Sequence, residues 1–208
     1  MARYTGPVCR LCRRSGEKLL LKGARCYTPK CGVDKRPKPP GPPPARRPKI
    51  SERGVQLREK QKARYTYGVL ERQFRNLFAQ AESQSGITGD NVLMLLERRL
   101  DNVVYRLGFA DSRAQSRQIV THGHIMLNGH KTDIPSCLIK EGDVISWRVG
   151  STKNEYYKQT AQNIEAKTVV NWLSLDRQAM TGRVVSLPTP VDIDAKLDGK
   201  AIVEYYSR

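Results

Sequence analysis

Four of the chain's five cysteines, Cys9, Cys12, Cys26 and Cys31, fall within its first 31 residues, spaced C-x2-C, thirteen residues, then C-x4-C. The segment around them holds too few apolar side chains to close a core. Its order must therefore come from the thiols themselves. Two close pairs joined by a short loop can set four thiolates at the corners of a tetrahedron, the geometry Zn2+ accepts. Iron on the same ligands is the minor alternative. Unrelated free thiols would need an apolar core to bury them, and this segment offers none. Four thiolates leave no open position for water, so one structural zinc ion is expected, not a catalytic one. Cys137 stands alone and reads as a small packed hydrophobe. The N-terminus, Met1-Ala2-Arg3-Tyr4, has no apolar signal core, and no apolar run approaches the ~18 residues of a membrane span. A reducing, cytoplasmic setting is expected, where paired cysteines serve as ligands more than as disulfides.

The same end of the chain carries the charge. The whole sequence has 37 Lys and Arg against 20 Asp and Glu, a formal +17. Residues 1–80 hold 21 of those cations and 5 of the acids, leaving 16 and 15 for residues 81–208. A field that one-sided attracts polyanions, and nucleic acid is the default partner. A membrane-surface protein would set a bulky apolar helix face beside its cations, and no such helix is evident. At 208 residues, 38% hydrophobic and 7% aromatic, the chain has room for one or two domains with a modest core.

Residues 37–48 contain seven of the twelve prolines and read as an extended strap or linker. Ser51 opens a helical stretch through the helix formers Gln56 to Lys62. Val69, Leu70, Phe74, Leu77, Phe78 and Ala81 mark a second helix with one buried stripe. Gly86-Ile87-Thr88-Gly89 breaks the chain, with Thr88 or Asp90 able to cap the next helix. Leu93, Leu96, Leu100, Val103 and Leu107, spaced three and four apart, predict one amphipathic helix stopped by Gly108. Ser112-Arg113-Ala114-Gln115 has the form of a capping box and predicts a short helix up to Gly123. Asn128-Gly129 predicts a hairpin turn between Ile125-Met126-Leu127 and His130-Lys131-Thr132. A strand is expected over 143–148, one more helix around Ile164 and Ala166, and a final strand over 201–206. Helix, helix, then strands within about fifty residues is a small α+β module.

No catalytic constellation stands out. His122, His124 and His130 sit at turns, which favours solvent or phosphate contact over acid–base work. Asp192 and Asp194, beside Pro188 and Pro190, read as loop carboxylates, and no Gly-rich loop ends in Gly-Lys-Ser/Thr. The cations instead form two expected surfaces. One is the arm with Arg46, Arg47, Lys49, Arg53, Arg58, Lys60, Lys62 and Arg64, continued by Arg72 and Arg75. The other is the helix pair with Arg98, Arg99, Arg106, Arg113 and Arg117, joined by His122, His124 and Lys131. Short Arg-bearing helices suit the backbone and shape of RNA better than base readout in duplex DNA.

These residues also carry a resemblance. The segments 55–62, 67–75, 96–109, Ser116-Arg117-Gln118, Gly123-His124-Ile125, Asn128-Gly129 and 202–208 resemble the bacterial small-subunit ribosomal protein four family over nearly the whole chain. The resemblance implies an α+β protein: a four-cysteine zinc module and helical region over 1–97, a small αα-β RNA-binding domain of the Alpha-L type over 98–158, and a C-terminal segment, 159–208, packing back on the helical region. It implies a non-enzymatic primary binder of the 5′ domain of small-subunit ribosomal RNA that nucleates assembly of the subunit body and contributes to translational accuracy. Neighbouring small-subunit proteins, protein five and secondarily protein twelve, are the implied protein partners. The cysteines match members with an N-terminal zinc site, which many members lack, and the strap is longer and richer in proline than the family's Pro-Pro-Gly segment. Two other classes stay open: an RNA-modifying enzyme sharing the RNA-binding domain, and a zinc-dependent nucleic-acid-binding regulator. About 50 residues after Lys158 are few for a catalytic domain.

Overall fold

A computed structural model of the chain describes residues 3–42, 49–193 and 197–207. The structure divides into two compact units, one built from the chain up to Val92 together with Ala195 onward, the other from Leu93 to Asp194.

The first unit begins with the cysteine segment. Helix α1 (Cys9–Ser15) stops at Gly16, whose φ of 77° supplies the left-handed C-cap. A 3-10 turn over Gly23–Tyr27 and a single-turn helix α2 (Gly32–Lys35) come next. Helix α3 (Glu52–Thr66) starts as expected at Ser51, whose side chain accepts from the Gly54 N–H. Helix α4 (Glu71–Glu82) buries Phe74, Phe78 and Ala81 on one stripe. The segment 201–206, expected as a strand, is instead helix α9 of this chain, Gly199–Tyr206, capped by the Asp198 side chain on the Ala201 N–H. Ala201 and Ile202 are buried and Tyr206 stacks between Phe74 and Phe78 with centroids at 6.2 and 4.5 Å. The segment 201–206 is helical throughout, with Ala201 and Ile202 its buried positions. The β-favouring run Ile-Val-Glu-Tyr-Tyr is overruled by packing against α3.

Between these elements runs helix α5 (Thr88–Glu97). Its early Gly89 lies against Gly199. A Cβ on Gly89 would stand 2.8 Å from the Gly199 carbonyl carbon, so two glycines permit this crossing of backbones.

The second unit carries the larger apolar core. The single helix expected through Leu93 to Leu107 is broken in two: α5 ends at Glu97 and α6 spans Leu100–Arg106, with Arg99 extended at φ −68° and ψ 136°. The extended residues pair with another segment. Ile139 N–H donates to Arg98 O, and Leu100 N–H to Cys137 O. Helix α7 (Arg113–Thr121) is capped by Ser112, although Gln115 reaches back to the Asp111 N–H, one residue earlier than a capping box requires.

Strands β1 (Ile125–Leu127) and β2 (His130–Lys131) form the expected hairpin, and β3 (Val144–Trp147) pairs antiparallel with β1. Helix α8 (Glu155–Asn163) comes after it, with a 3-10 turn over Ile164–Ala166. Two further strands, β4 (Leu173–Asp176) and β5 (Thr181–Val184), complete a five-stranded sheet in the order β2-β1-β3-β5-β4. The sheet therefore draws in residues past 158, and among the described residues of the C-terminal segment only 197–207 belong to the first unit. Ile125, Ile145, Trp147, Leu173 and Val184 face the core with Leu100, Val103, Val104, Leu107, Phe109 and Ile119. Gly182 lies directly beneath the Leu107 side chain, where a Cβ would collide.

Candidate nucleic-acid interface

Each expected site residue within the described chain has a definite place. In the arm, Cys12, Cys26 and Cys31 are buried and Cys9 half-buried, and all four line one small cavity with Leu21 and Gly32. The Lys22 N–H points at Cys26 Sγ, 3.4 Å away. Burial pushes the Cys12 thiol up, a hydrogen bond with the Leu19 backbone opposes it, and the other three thiols add to the rise. The donor set thus gathers in one place and its chemistry suits Zn2+. Among the described residues, however, no three Cys, His, Asp or Glu side chains converge closely enough to hold a metal as they stand. What the four thiols share is the lining of that one cavity.

Of the arm cations, Arg46 and Arg47 and most of the strap lie outside the described residues. Lys49, Arg53 and Arg58 are exposed, as are Arg72 and Arg75 on α4. Lys60 and Lys62 are not: they are 3% and 6% exposed. Lys60 Nζ is 2.7 Å from Glu71 Oε1 and 4.6 Å from the Tyr205 ring centre, and Arg64 holds the other Glu71 oxygen at 3.0 Å. Lys62 Nζ is 2.9 Å from Glu17 and 3.5 Å from Glu59. Burial alone would raise the Glu71 carboxyl. Hydrogen bonds from Lys60 and Tyr206, with the charges of Lys60 and Arg64, outweigh it and hold the group below the usual range.

The helix-pair cations are gathered, but largely turned inward. Arg99 forks onto both oxygens of Asp101 at 3.1 and 3.0 Å, and Arg117 reaches the same carboxylate at 3.0 Å. Arg106 forks onto Glu97 at 3.0 and 2.8 Å, where Asn102 also donates at 2.6 Å. Glu97 is fully buried, and Arg99, Arg106 and Arg117 are all below 9% exposed. Arg113 is half-buried, donating to Asn102 Oδ1 and lying over the Tyr105 ring. Arg98 donates to the Ile139 carbonyl. Sequence reasoning found the cluster and missed its acids, Glu97 and Asp101, which stand beside the arginines in the chain and neutralise them.

The cations this unit presents to solvent lie elsewhere. Strand residues alternate between faces. With Ile125, Ile145 and Trp147 turned to the core, His124, Met126, Ser146, Arg148 and Arg183 share the opposite face, as does Lys131 through its pairing with Met126. Lys131, Arg148 and Arg183 are exposed, His122 is exposed two residues before β1's neighbour His124, and His124 is half-buried. Arg148 and Arg183 escaped the sequence reading. The two-residue alternation of Val144, Ser146 and Arg148 against Ile145 and Trp147 was the signal that could have found them.

Each unit thus presents exposed cations on its own helices or strands, and exposed cations suit a polyanion. Comparison with known proteins agrees. The ribosomal protein S4/S9 N-terminal domain matches residues 3–97 and the S4 domain matches residues 98–145. Over 208 residues, covering all of both chains, the sequence is 60% identical to small ribosomal subunit protein uS4 of Dehalococcoides mccartyi. It is 55% identical, again over the whole of both chains, to uS4 of Halothermothrix orenii and to uS4A of Symbiobacterium thermophilum. With that likeness running from end to end, the chain belongs to the small ribosomal subunit protein uS4 family.

Proposed function

We infer that this chain is a structural, non-catalytic protein of the small ribosomal subunit in the cytoplasm and that it binds ribosomal RNA. Full-length identity to proteins of that name carries the reading, and the excess of exposed cations gives it a physical basis. Within the subunit it grips the 5′ domain of the RNA, helps nucleate the body and contributes to accuracy, with protein five as its principal protein partner and protein twelve a secondary one. The contacts to phosphate come from Lys49, Arg53, Arg58, Arg72 and Arg75 on the first unit, and from His122, Lys131, Arg148 and Arg183 on the second, which are exposed. Mass spectrometry of purified small subunits tests membership, and its absence there would end the reading. Binding to a 5′-domain fragment, in competition with fragments from the other RNA domains, tests the target.

The same reading extends to the arm. Cys9, Cys12, Cys26 and Cys31 hold one Zn2+, supported by their common cavity. The ion would cross-link a segment that lacks a core and perform no chemistry on RNA. Metal analysis of freshly purified protein should find about one zinc per chain, and Cys26→Ser should lower it. Protein free of both zinc and iron would refute the assignment.

A further inference from the structure

The end of α7 and the adjoining strands bring together a group of side chains that the fold itself does not use. His122 closes α7 and His124 enters β1, with ring centres 6.0 Å apart. The Arg148 N–H donates to the His124 carbonyl at 2.8 Å, which fixes these two residues opposite each other at the end of the β1–β3 ladder. Lys131 comes from β2, and its aliphatic stem lies against Gly123, so closely that a Cβ there would strike Cε. From the turn after β3, the buried Ser151 sets its hydroxyl 2.8 Å from His124 Nδ1. The charged groups that act on His124 are His122 and Arg148, the second a fixed cation and the first a cation once protonated. Among the described residues no carboxylate forms an ion pair with Lys131 or Arg148. Elsewhere in this unit, the buried cations Arg99, Arg106 and Arg117 all have acid partners.

We propose that His122, His124, Lys131 and Arg148 form one phosphate site on the outer face of the sheet, and that a backbone phosphate of bound RNA enters it together with a proton from solvent. The proposal rests on the ribosomal RNA reading above and adds a linkage to it. In the free protein, like charges and partial burial disfavour the imidazolium. His124 is held below the ordinary histidine value by burial, by His122 and by Arg148. A phosphate monoanion in contact with the rings reverses the sign of the local field and favours the charged form. His124 Nδ1 and the Ser151 hydroxyl stand within hydrogen-bond distance; in the protonated ring Nδ1–H donates to Ser151 Oγ and Nε2–H donates toward a phosphate oxygen. The bound-state histidine therefore titrates higher than the free one. Binding tightens as pH falls through the bound value and gains nothing more below the free value, each unit of separation giving about tenfold in affinity.

The experiment uses the full chain and a 5′-domain RNA fragment at constant ionic strength between about pH 5.5 and 8, the span in which a histidine titrates. Log affinity should rise as pH falls, with a slope approaching about −1 for one proton. Calorimetry in buffers of different ionisation enthalpy should show net proton uptake near neutral pH. His124→Gln should flatten the slope and abolish the uptake. Arg148→Gln should weaken binding at every pH. Should His124→Gln fail to fold, the buffer-dependent calorimetry of the unaltered chain still decides. Binding at the alkaline end with no proton uptake on acidification, or an identical slope in the unaltered chain and in His122→Gln/His124→Gln, overturns the proposal and leaves the RNA reading standing. No binding at any pH overturns both.

Discussion

At the scale of single residues, the charges divide by whether an acid stands within reach. Glu97 and Asp101 each accept from two arginines or an arginine and an amide, with nearly all these groups out of water. Such pairs repay their desolvation only when every partner is present, so removing one is costly. Glu97→Gln should destabilise the second unit by about 3–5 kcal/mol, the range for stranding a buried arginine, and urea denaturation would show it. A cost under about 1 kcal/mol would mean that water reaches Arg106. Glu71 adds a pH dependence of known sign. Its folded carboxyl titrates below the ordinary value because Lys60, Tyr206 and Arg64 overcome the effect of burial. The stability it contributes is present above the unfolded value, about 4.3, and is lost as pH falls through the lower folded one. Glu71→Gln should destabilise the first unit at neutral pH and weaken its acid sensitivity. Parallel curves of urea midpoint against pH, from about 6 to about 3 so as to span the carboxylate range, would contradict this.

At the scale of elements, local signals were readable wherever a cap or turn residue sets the boundary. Ser51, Ser112 and Asn128-Gly129 mark elements that the structure contains. The failures share a cause: they depend on a partner remote in sequence. The Leu93–Leu107 pattern keeps its apolar phase across Arg98 and Arg99, but residues 137–139 pair with the chain there and split the helix. Likewise Ile202-Val203-Glu204-Tyr205-Tyr206 has strand composition, and only the surface offered by α3 and α4 makes it a helix. The arginine cluster was legible as a cluster, whereas its burial required knowing that Glu97 and Asp101 face inward. The crossing of α5 and α9 gives a test in which propensity and packing predict opposite signs. Alanine is favoured over glycine by about 1 kcal/mol within helices. A Cβ on Gly89 would nonetheless meet Gly199 backbone at 2.8 Å, and backbone cannot swing aside as a side-chain end can. Gly89→Ala should therefore destabilise the first unit by about 1–3 kcal/mol, the usual cost of overpacking. Faster amide exchange in α9 would report it. A stabilised variant would show that the crossing is loose.

At the scale of the whole molecule, each of the two units has its own packed elements and its own exposed cations. A chain built this way can hold one RNA at two places, and the second attachment then forms at the high effective concentration set by the covalent link. Charge removal separates this from simple stickiness. Replacing Arg53, Arg58, Arg72 and Arg75 by Gln strips the first surface. Replacing Lys131, Arg148 and Arg183 strips the second. All of these side chains are exposed, so folding should survive. Every phosphate interaction removed in this way should reduce the slope of log affinity against log salt by about 0.7–0.9. Arg106→Gln is the internal control: it is buried against Glu97 and should lower stability without changing the salt slope. On a multi-helix RNA junction, stripping either surface should remove the tethering advantage as well as that surface's own phosphate interactions. On an RNA hairpin short enough to be held by one unit alone, one set of substitutions should dominate and the other should matter little. Filter binding on both RNAs across a salt series measures the difference. Equal losses on junction and hairpin would mean that the two surfaces add only charge, and that the covalent link between the units contributes nothing to how RNA is held.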